Sequence, residues 1–350
     1  TALARVGAGL RSAVTRSGVV RRAVEHQTAD QPHACAGTSG TLCLVPDILP
    51  SVPDAALAQV IALWRTSDPG LERAAAVLRA TFDQLYDGQH TGRYRWEQLF
   101  KTEKTHFGTL LEINLRREFD DIIDDGSLLD YRIAGSDVDC KYSQSDGGWM
   151  IPPEGFDQIL LVVTADDAAG VWSLGFVRAS TEHLRDSRNR DGKTQLNVAG
   201  RQAITWLARN APLPPNVLLS LPDADLARIF APRSGQARIN ELFRVVTNQR
   251  IGRNTIATVA QQDDFMKRVR RNGGARSTLA AEGYLIAGGD YAEHRRVAVE
   301  LGAVVPEPGE VVSVLVVPAS PGDSYTTLLG DVTWRMAHTH EVVSTPAPTL

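Results

Sequence analysis

Apolar residues in the first half of the chain recur first at helical spacing and then in short runs. Within residues 72–86 they follow the i, i+3, i+4 spacing of one helical face: Ala75, Leu78, Phe82 and Leu85. Helices are also predicted over residues 55–64 and 109–119. Shorter apolar segments predict strands over residues 130–133, 138–142, 158–164 and 171–178. Helices followed by a run of strands predict a mixed α/β domain.

The second half of the chain has shorter periodic segments in a different order. The Pro212-Leu-Pro-Pro215 stretch predicts a linker, because proline interrupts both helices and sheet pairing. Short helices are predicted after it, over residues 224–230, 237–247, 254–261 and 263–271, and strands over 283–288 and 311–317. Short helices followed by a strand hairpin is the order of a winged helix-turn-helix, a DNA-binding module. The Pro-rich end of the chain is predicted to fray.

The length of 350 residues predicts two domains, at roughly 150 residues each. We place the first domain at residues 53–208, the linker at 209–216 and the second domain at 217–350. Residues 1–52 carry scattered Gly, Ser, Thr and Pro with little periodicity, so we expect a disordered extension there.

Composition limits the class of protein. The chain is 43% hydrophobic and 22% charged, which is ordinary for a globular protein. It has no run of about 18 apolar residues, so no membrane span is expected. Three cysteines do not make a disulfide framework, and we expect a cytoplasmic protein.

Charge is distributed unevenly along the chain. Residues 231–280 hold ten Lys or Arg residues and three acids, whereas residues 81–130 hold eleven acids and six bases. We interpret the acidic region as catalytic or metal-binding and the basic region as polyanion-binding. The predicted DNA contacts of the basic region are Arg253, Lys267, Arg268, Arg270, Arg271 and Arg276. A solubilising basic face is the alternative, although such faces normally mix both signs.

The segment from Asp130 to Lys141 carries the candidate chemistry. Asp139 and Lys141 are two residues apart, so on a strand they share one face, and Asp130 arrives from just upstream. Clustered carboxylates need a cation between them, and Mg²⁺ prefers oxygen ligands such as Asp130, Asp139 and the Cys140 carbonyl. Lys141 would orient or deprotonate the water that attacks a phosphodiester. The spacing is common by chance, and a solvated strand edge is the alternative.

Further candidates lie upstream of that segment. Glu112 is at the edge of the apolar stripe of the 109–119 helix, where it can point into a cleft. The alternative is a surface pair with Arg116 at i+4. Lys101 and Lys104 precede the helix and are predicted to contact DNA phosphates, the alternative being a solvated loop that caps the helix.

Longer runs of residues give a family resemblance. From about residue 70 to about residue 330 the chain resembles the NaeI-like family of restriction endonucleases, in runs that include Asp83-Gln-Leu-Tyr-Asp-Gly-Gln89, Lys101-Thr-Glu-Lys-Thr-His106, Glu112-Ile-Asn-Leu115, Val138-Asp-Cys-Lys141, Gly235-Gln-Ala-Arg238 and Asn240-Glu-Leu-Phe-Arg244. The resemblance implies an N-terminal restriction-endonuclease-like PD-(D/E)xK domain with a mixed sheet. It also implies a C-terminal winged-helix domain like that of the catabolite activator protein.

The resemblance further implies an activity. The implied protein is a homodimeric type IIE enzyme of bacterial restriction-modification defence. It would use Mg²⁺ to cut a palindromic DNA site, which is GCCGGC in the family's reference member. A second DNA copy is bound as an allosteric effector. The implied catalytic residues are Glu112, Asp130, Asp139 and Lys141, with Glu112 also among the metal ligands. The stretch from Glu112 to Asp130 is about two residues longer than the family pattern.

A segment resembling DNA ligases precedes the site. Leu85-Tyr-Asp87-Gly88 is similar to the Lys-x-Asp-Gly motif of ligases, with Leu85 in place of the nucleophilic lysine. Leucine cannot form a covalent adenylate, so hydrolysis rather than ligation is expected. A helix end followed by an Asp-Gly turn explains the same residues.

The sequence is also compatible with two other functions. One is a winged-helix regulator that has lost cleavage, and the intact four-residue site argues against it. The other is a nicking or repair nuclease with the same fold. Palindromic cleavage by a symmetric dimer would separate the restriction enzyme from that nuclease.

Overall fold

Helices on one side of a sheet form the first half of the structure. The computed structural model describes residues 54–350, so the predicted extension over residues 1–52 lies outside the described residues. The helices come first in the chain: α1 Ala55–Ser67, α2 Glu72–Tyr86, the single turn α3 Gly88–Thr91, and α4 Lys101–Glu118.

A six-stranded sheet follows these helices. Its strands lie side by side in chain order: β1 Ile123–Asp125, β2 Tyr131–Ile133, β3 Ser136–Ser143, β4 Ile159–Asp166, β5 Val171–Arg178 and β6 Thr205–Pro212, with the short helix α5 Val198–Gln202 before β6. β3 and β4 are parallel, and the other neighbouring strands are antiparallel. The predicted mixed α/β architecture is therefore confirmed.

β4 is the central strand of this sheet and is buried on both faces. On one face, Leu161 packs with α1, α2 and α4 around the fully buried Trp64. On the other face, Leu160 packs against Trp149. Burial on both sides explains why residues 159–163 of this strand form an unbroken apolar run instead of an alternating one.

The second half begins with helices and ends in a second sheet. Its elements are α6 Asp223–Phe230, α7 Gly235–Val245, β7 Ile251–Gly252, α8 Arg253–Ala260, α9 Ala275–Ala280, β8 Tyr284–Gly288, α10 Ala292–Glu300, β9 Glu310–Pro318, β10 Thr326–Leu329 and β11 Val332–Met336. β9 pairs with β7, β8 and β11, in each case antiparallel, and β10 pairs with β11. α7, α8 and α9 enclose a core of their own with Ile286 of β8.

The prediction of a helix over residues 263–271 is wrong. Only a 3-10 turn forms there, at Phe265–Val269. Lys267 would lie one turn from both Arg270 and Arg271 on a continuous helix, and like charges at that spacing destabilise it. The chain instead turns and starts α9 four residues after Arg271.

The start of α4 also differs from the prediction. The helix begins at Lys101, eight residues before the predicted start, so Lys101 and Lys104 are helical and not in a loop. Glu103 caps this end, because its carboxylate accepts a hydrogen bond from the Phe100 N–H at 2.8 Å. Helix caps of this kind stabilise a polar first turn that the apolar pattern does not reveal.

The predicted linker and the predicted frayed end are both partly structured. Residues 209–212 lie in β6, an edge strand, where the missing N–H of Pro212 is tolerated. The chain end carries β10 and β11, and the Ala347 N–H donates a hydrogen bond to the Ala280 carbonyl at 2.7 Å. Fraying of the whole end is therefore wrong, because Ala347 is buried against the second sheet.

The described residues, 54–350, form one compact unit, and the division into two domains stays a prediction. Asn254 at the start of α8 donates a hydrogen bond to Asp83 of α2 at 2.7 Å. α3 packs so closely on α8 that a Cβ at Gly88 would lie 2.0 Å from the Thr258 Oγ1. Among the described residues, no helix is both long and apolar enough to cross a membrane.

Candidate active site

The register of two strands brings Asp130 and Asp139 together. Tyr131 pairs with Val138 in the antiparallel β2–β3 ladder, so the next position in the ladder places Asp130 opposite Asp139. Directly opposed like charges destabilise a sheet. The ladder does end there, and the Cys140 N–H donates a hydrogen bond to the Asp130 Oδ2 at 2.9 Å instead.

Lys141 connects the groups of this site. Its ammonium contacts the Asp139 carboxylate and lies 3.8 Å from the Asp130 Oδ2. It also donates a hydrogen bond to the Cys140 carbonyl at 3.2 Å. One cation thus touches or approaches each of the three oxygen donors that the sequence proposed as metal ligands.

Asp139 is the most perturbed acid of the site. Its residue surface is only 3% exposed, and this burial raises the pKa of its carboxyl to about 7, against the opposing effect of Lys141. The neighbouring Asp130 raises it further. The Asp139 Oδ2 is buried without a hydrogen-bond partner among the described residues, so one oxygen stays available for a cation.

Glu112 reaches the same site from α4. Its carbonyl accepts a hydrogen bond from the Tyr131 hydroxyl at 2.7 Å, which fixes the helix beside the β2–β3 ladder. Burial raises the pKa of the Glu112 carboxyl, Asp130 adds to that rise, and Lys141 opposes it. The alternative surface pair with Arg116 does not form, because the Arg116 Nε lies 3.1 Å from Asp125.

The donors of this site suit a hard divalent cation. Among residues 54–350, no three His, Cys, Asp or Glu side chains lie close enough together to hold a metal ion. Mg²⁺ does not require such a cage, since it is usually held by one or two carboxylates, waters and substrate phosphates. Asp130, Asp139 with its unpaired oxygen, and the Cys140 carbonyl offer donors of that kind, and Glu112 lies beside them.

Gly155 sets the space behind Asp139, and we expect its replacement by alanine to slow any reaction at this site. A Cβ at Gly155 would lie 3.1 Å from the Asp139 Oδ2. The carboxylate would have to move by a few tenths of an ångström, and misplacements approaching 1 Å cost on the order of 100-fold. We expect roughly tenfold slower DNA cleavage in a single-turnover assay.

Gly108→Ala is the matched control for that change. Gly108 lies where α4 crosses β3, and a Cβ there would meet only the Tyr142 Cβ at 3.8 Å, an ordinary contact. Equal rates for the two variants would show that Gly155 does not position Asp139.

The stability of the metal-free protein should depend on pH through Asp139. Its folded pKa of about 7 lies above the ordinary 3.8. The protonated form is thus favoured on folding, and its contribution to stability is complete below about pH 4 and is lost as the pH rises through 7. Asp139→Asn should therefore be more stable than wild type above pH 7, by about 1–3 kcal/mol, with the difference vanishing toward pH 4. Urea unfolding in EDTA measures this, and a pH-independent difference would contradict it.

The basic residues predicted to contact DNA lie in different surroundings. Lys104 lies over the Trp96 ring at 5.8 Å, and Lys101 is exposed at the start of α4. In the second half, Lys267 and Arg268 pair with Asp264, at 3.4 Å and 2.9 Å. Arg271 is exposed, whereas three others line one cavity: Arg253, Arg270 and Arg276.

The ligase-like segment lies at a helix end. Leu85 is buried in the core of the first half, so its side chain faces apolar neighbours. Asp87 has a left-handed backbone, φ 48°, at the turn between α2 and α3. Gly88 packs against α8, as described above. These positions fit the helix end and turn, and the expectation of hydrolysis without ligation stays a prediction.

Two residues of the site were missed by the sequence reasoning. Tyr131 ties α4 to β2, and its position directly after Asp130 was the only available signal. Gly155 is sixteen residues from Asp139 in the chain, and no sequence pattern connects them.

Comparison with known proteins identifies the family of this chain. The family model described as restriction endonuclease NaeI matches residues 58–345. A curated relative, the type II restriction enzyme NaeI of Lentzea aerocolonigenes, is 49% identical over 282 residues, which cover 79% of this chain and 88% of the relative. The mixed α/β architecture with its sheet fits a restriction-endonuclease-like fold. The chain therefore belongs to the NaeI family of restriction endonucleases.

Proposed function

We propose that this protein hydrolyses both strands of a DNA duplex at a fixed, symmetric site in a Mg²⁺-dependent reaction. As a member of its family it is a type II restriction enzyme, a site-specific deoxyribonuclease that binds double-stranded DNA in restriction-modification. The observation that carries the proposal is the meeting of Asp130 and Asp139 at the end of the β2–β3 ladder, with Lys141 on the Asp139 carboxylate and 3.8 Å from the Asp130 Oδ2.

The side chains have separable roles in the proposed reaction. Asp130, Asp139 and the Cys140 carbonyl would hold Mg²⁺, with Glu112 beside them. When bound, Mg²⁺ supplies charge neutralisation at the phosphoryl oxygens. Lys141 is within reach of these groups. As an ammonium it can orient the attacking water, and as a neutral amine, after giving its own proton to solvent, it can accept the proton of that water, which an arginine cannot do.

The second half is proposed to bind DNA through a winged helix. The element order α7, β7, α8, α9, β8, α10, β9 supports this. Three helices precede β8, β7 and β8 both pair with β9, and α10 is an additional helix between β8 and β9. In this class of module the later helix enters the major groove. α9 is the last helix before the β8–β9 pair, so we propose that it faces the DNA, with Arg270 and Arg271 just before it.

Symmetric cutting requires a symmetric enzyme, so we propose a homodimer. The resemblance supports a GC-rich palindrome, GCCGGC in the family's reference member. It also supports a second DNA copy, held as an effector by the second half. Each of these statements is separately testable.

One cleavage experiment tests the central proposal. The protein is incubated with mixed plasmid DNA and Mg²⁺, and the ends are sequenced. We expect a single symmetric site, with GCCGGC as the first sequence to compare. Random ends, nicks in one strand or no cutting at all would overturn the proposal, and binding without cutting would favour a regulator.

A further inference from the structure

Three arginines line a cavity in the second half that the proposed cleavage reaction does not use. The cavity has a volume of about 280 Å³ and lies where α8 begins, between the chain before α9 and the β8–β9 pair. Its charged and aromatic lining is Arg253, Arg270, Arg276, Asp290, Tyr291 and Glu310, over an apolar floor.

The two acids of the cavity are engaged elsewhere. Asp290 accepts a hydrogen bond from the Gly309 N–H at 2.8 Å. Glu310 accepts one from the Glu307 N–H at 3.0 Å and lies 3.6 Å from the Arg250 Nε. Among the described residues, none of the three cavity arginines makes an ion pair within 4.0 Å. The three arginines therefore outnumber the two acids of the lining, and among the described residues none of the three is directly paired with an acid.

The guanidinium of Arg276 is partly buried in this cavity, which is energetically unfavourable. Its guanidinium lies 5.7 Å from the centre of the Tyr291 ring, and its Nε is buried without a hydrogen-bond partner among the described residues. Burial lowers the pKa of Arg276. Tyr291 and Asp290 raise this pKa, but by less than burial lowers it. A partly buried guanidinium without an ion-pair partner is destabilising, and a bound anion would offset that cost.

The cavity fits a phosphate group better than a carboxylate or a larger ligand. Guanidinium groups bind phosphate oxygens in a bidentate way, and three of them can surround a tetrahedral anion. α8 adds its first-turn amides, since no side chain of the described residues caps it and free amides attract anions. Its volume is just below the range of about 300–1,000 Å³ of ligand pockets, which suits one phosphate with its sugar.

We propose that this cavity binds one phosphate group of the DNA duplex that the second half holds. The inference rests on the proposed DNA binding by this half and makes it specific. Arg253, Arg270 and Arg276 would grip a single backbone phosphate and fix the duplex against α9. A free phosphate or a nucleotide has the same chemistry, so the experiment must separate the sources.

The first measurement uses inorganic phosphate and the full chain. Thermal unfolding is followed with phosphate against KCl of equal ionic strength. Phosphate should raise the Tm of wild type and of Arg233→Gln, in which an exposed arginine outside the cavity is changed. It should not raise the Tm of Arg270→Gln or Arg276→Gln. Equal shifts in all four proteins, or none in wild type, would overturn the cavity as an anion site.

The second measurement uses duplex DNA, with Ca²⁺ in place of Mg²⁺. Arg270→Gln should weaken duplex binding about tenfold and reduce the slope of log affinity against log salt by about one. Saturating duplex should abolish the shift caused by phosphate. A phosphate shift that persists with duplex bound, and unchanged duplex affinity in Arg270→Gln, would assign the cavity to a free phosphate source and overturn the DNA proposal.

These measurements also separate this inference from the proposed function. If wild type does not bind duplex at all, DNA binding fails, while phosphate stabilisation still reports on the cavity. Because Arg276 is partly buried and its variant can fail to fold, the exposed Arg270 carries the test independently.

Discussion

Asp139→Asn is expected to reduce DNA cleavage by at least about 10³-fold while duplex binding in Ca²⁺ persists. The substitution keeps the shape of the side chain and removes its charge. Asp139 supplies the one carboxylate oxygen of the site that is buried and unpaired, so Mg²⁺ would lose its central donor. Loss of a preorganised charge of this kind costs roughly 10²–10³-fold for a single group, and loss of the metal adds to it.

Binding and cleavage must be measured separately for this variant. Removing a negative charge beside the scissile phosphate should leave duplex affinity equal or higher, since like-charge repulsion falls. Asp124→Asn is the matched control, because Asp124 is an exposed carboxylate on the edge strand β1 of the same sheet, and it should cut normally. Wild-type turnover by Asp139→Asn would remove Asp139 from the catalytic site.

Lys141→Met is expected to reduce cleavage by at least about 10²-fold, through a different cause. The ammonium contacts Asp139, approaches Asp130 at 3.8 Å and donates to the Cys140 carbonyl. Its loss removes the group that orients or deprotonates the water, a contribution of about 10²–10⁴-fold for acid–base catalysis. Single-turnover cleavage at saturating Mg²⁺ measures the chemical step.

A second substitution separates proton transfer from charge at this position. Lys141→Arg keeps the positive charge, but a guanidinium does not give up its proton. We expect Lys141→Arg to bind duplex like wild type and to cut as slowly as Lys141→Met. Recovery of cleavage by arginine would reduce the role of Lys141 to charge alone. Lys193→Met is the control, because Lys193 is an exposed lysine in a loop.

The sequence pattern predicted those features that depend on residues close together in the chain. The 3.6-residue periodicity of residues 72–86 predicted α2 with its bounds, because one apolar face against a core produces it. The two-residue spacing of Asp139 and Lys141 placed them on one face, because side chains on a strand alternate. The apolar run of β4 was found but not explained, since burial on both faces is a property of the whole sheet.

The prediction of a helix over residues 263–271 was wrong for a reason that the apolar pattern does not show. Phe265, Met266 and Val269 have helical spacing, yet only a 3-10 turn forms. Lys267 would repel Arg270 and Arg271 at helical spacing, which opposes a continuous helix. The pairs of Asp264 with Lys267 and Arg268 have helical spacing as well, so they do not explain its absence.

By itself the sequence determined the mixed α/β class, the acids and the lysine of the candidate site, and the basic character of the second half. These follow from spacing and composition, which are local. Only the tertiary structure decided that Asp130 and Asp139 meet where the β2–β3 ladder ends, and that Tyr131 bonds the Glu112 carbonyl beside them. The tertiary structure alone also showed that Arg253, Arg270 and Arg276 line one cavity. Such contacts depend on register and packing between residues distant in the chain, and a one-dimensional pattern does not encode them.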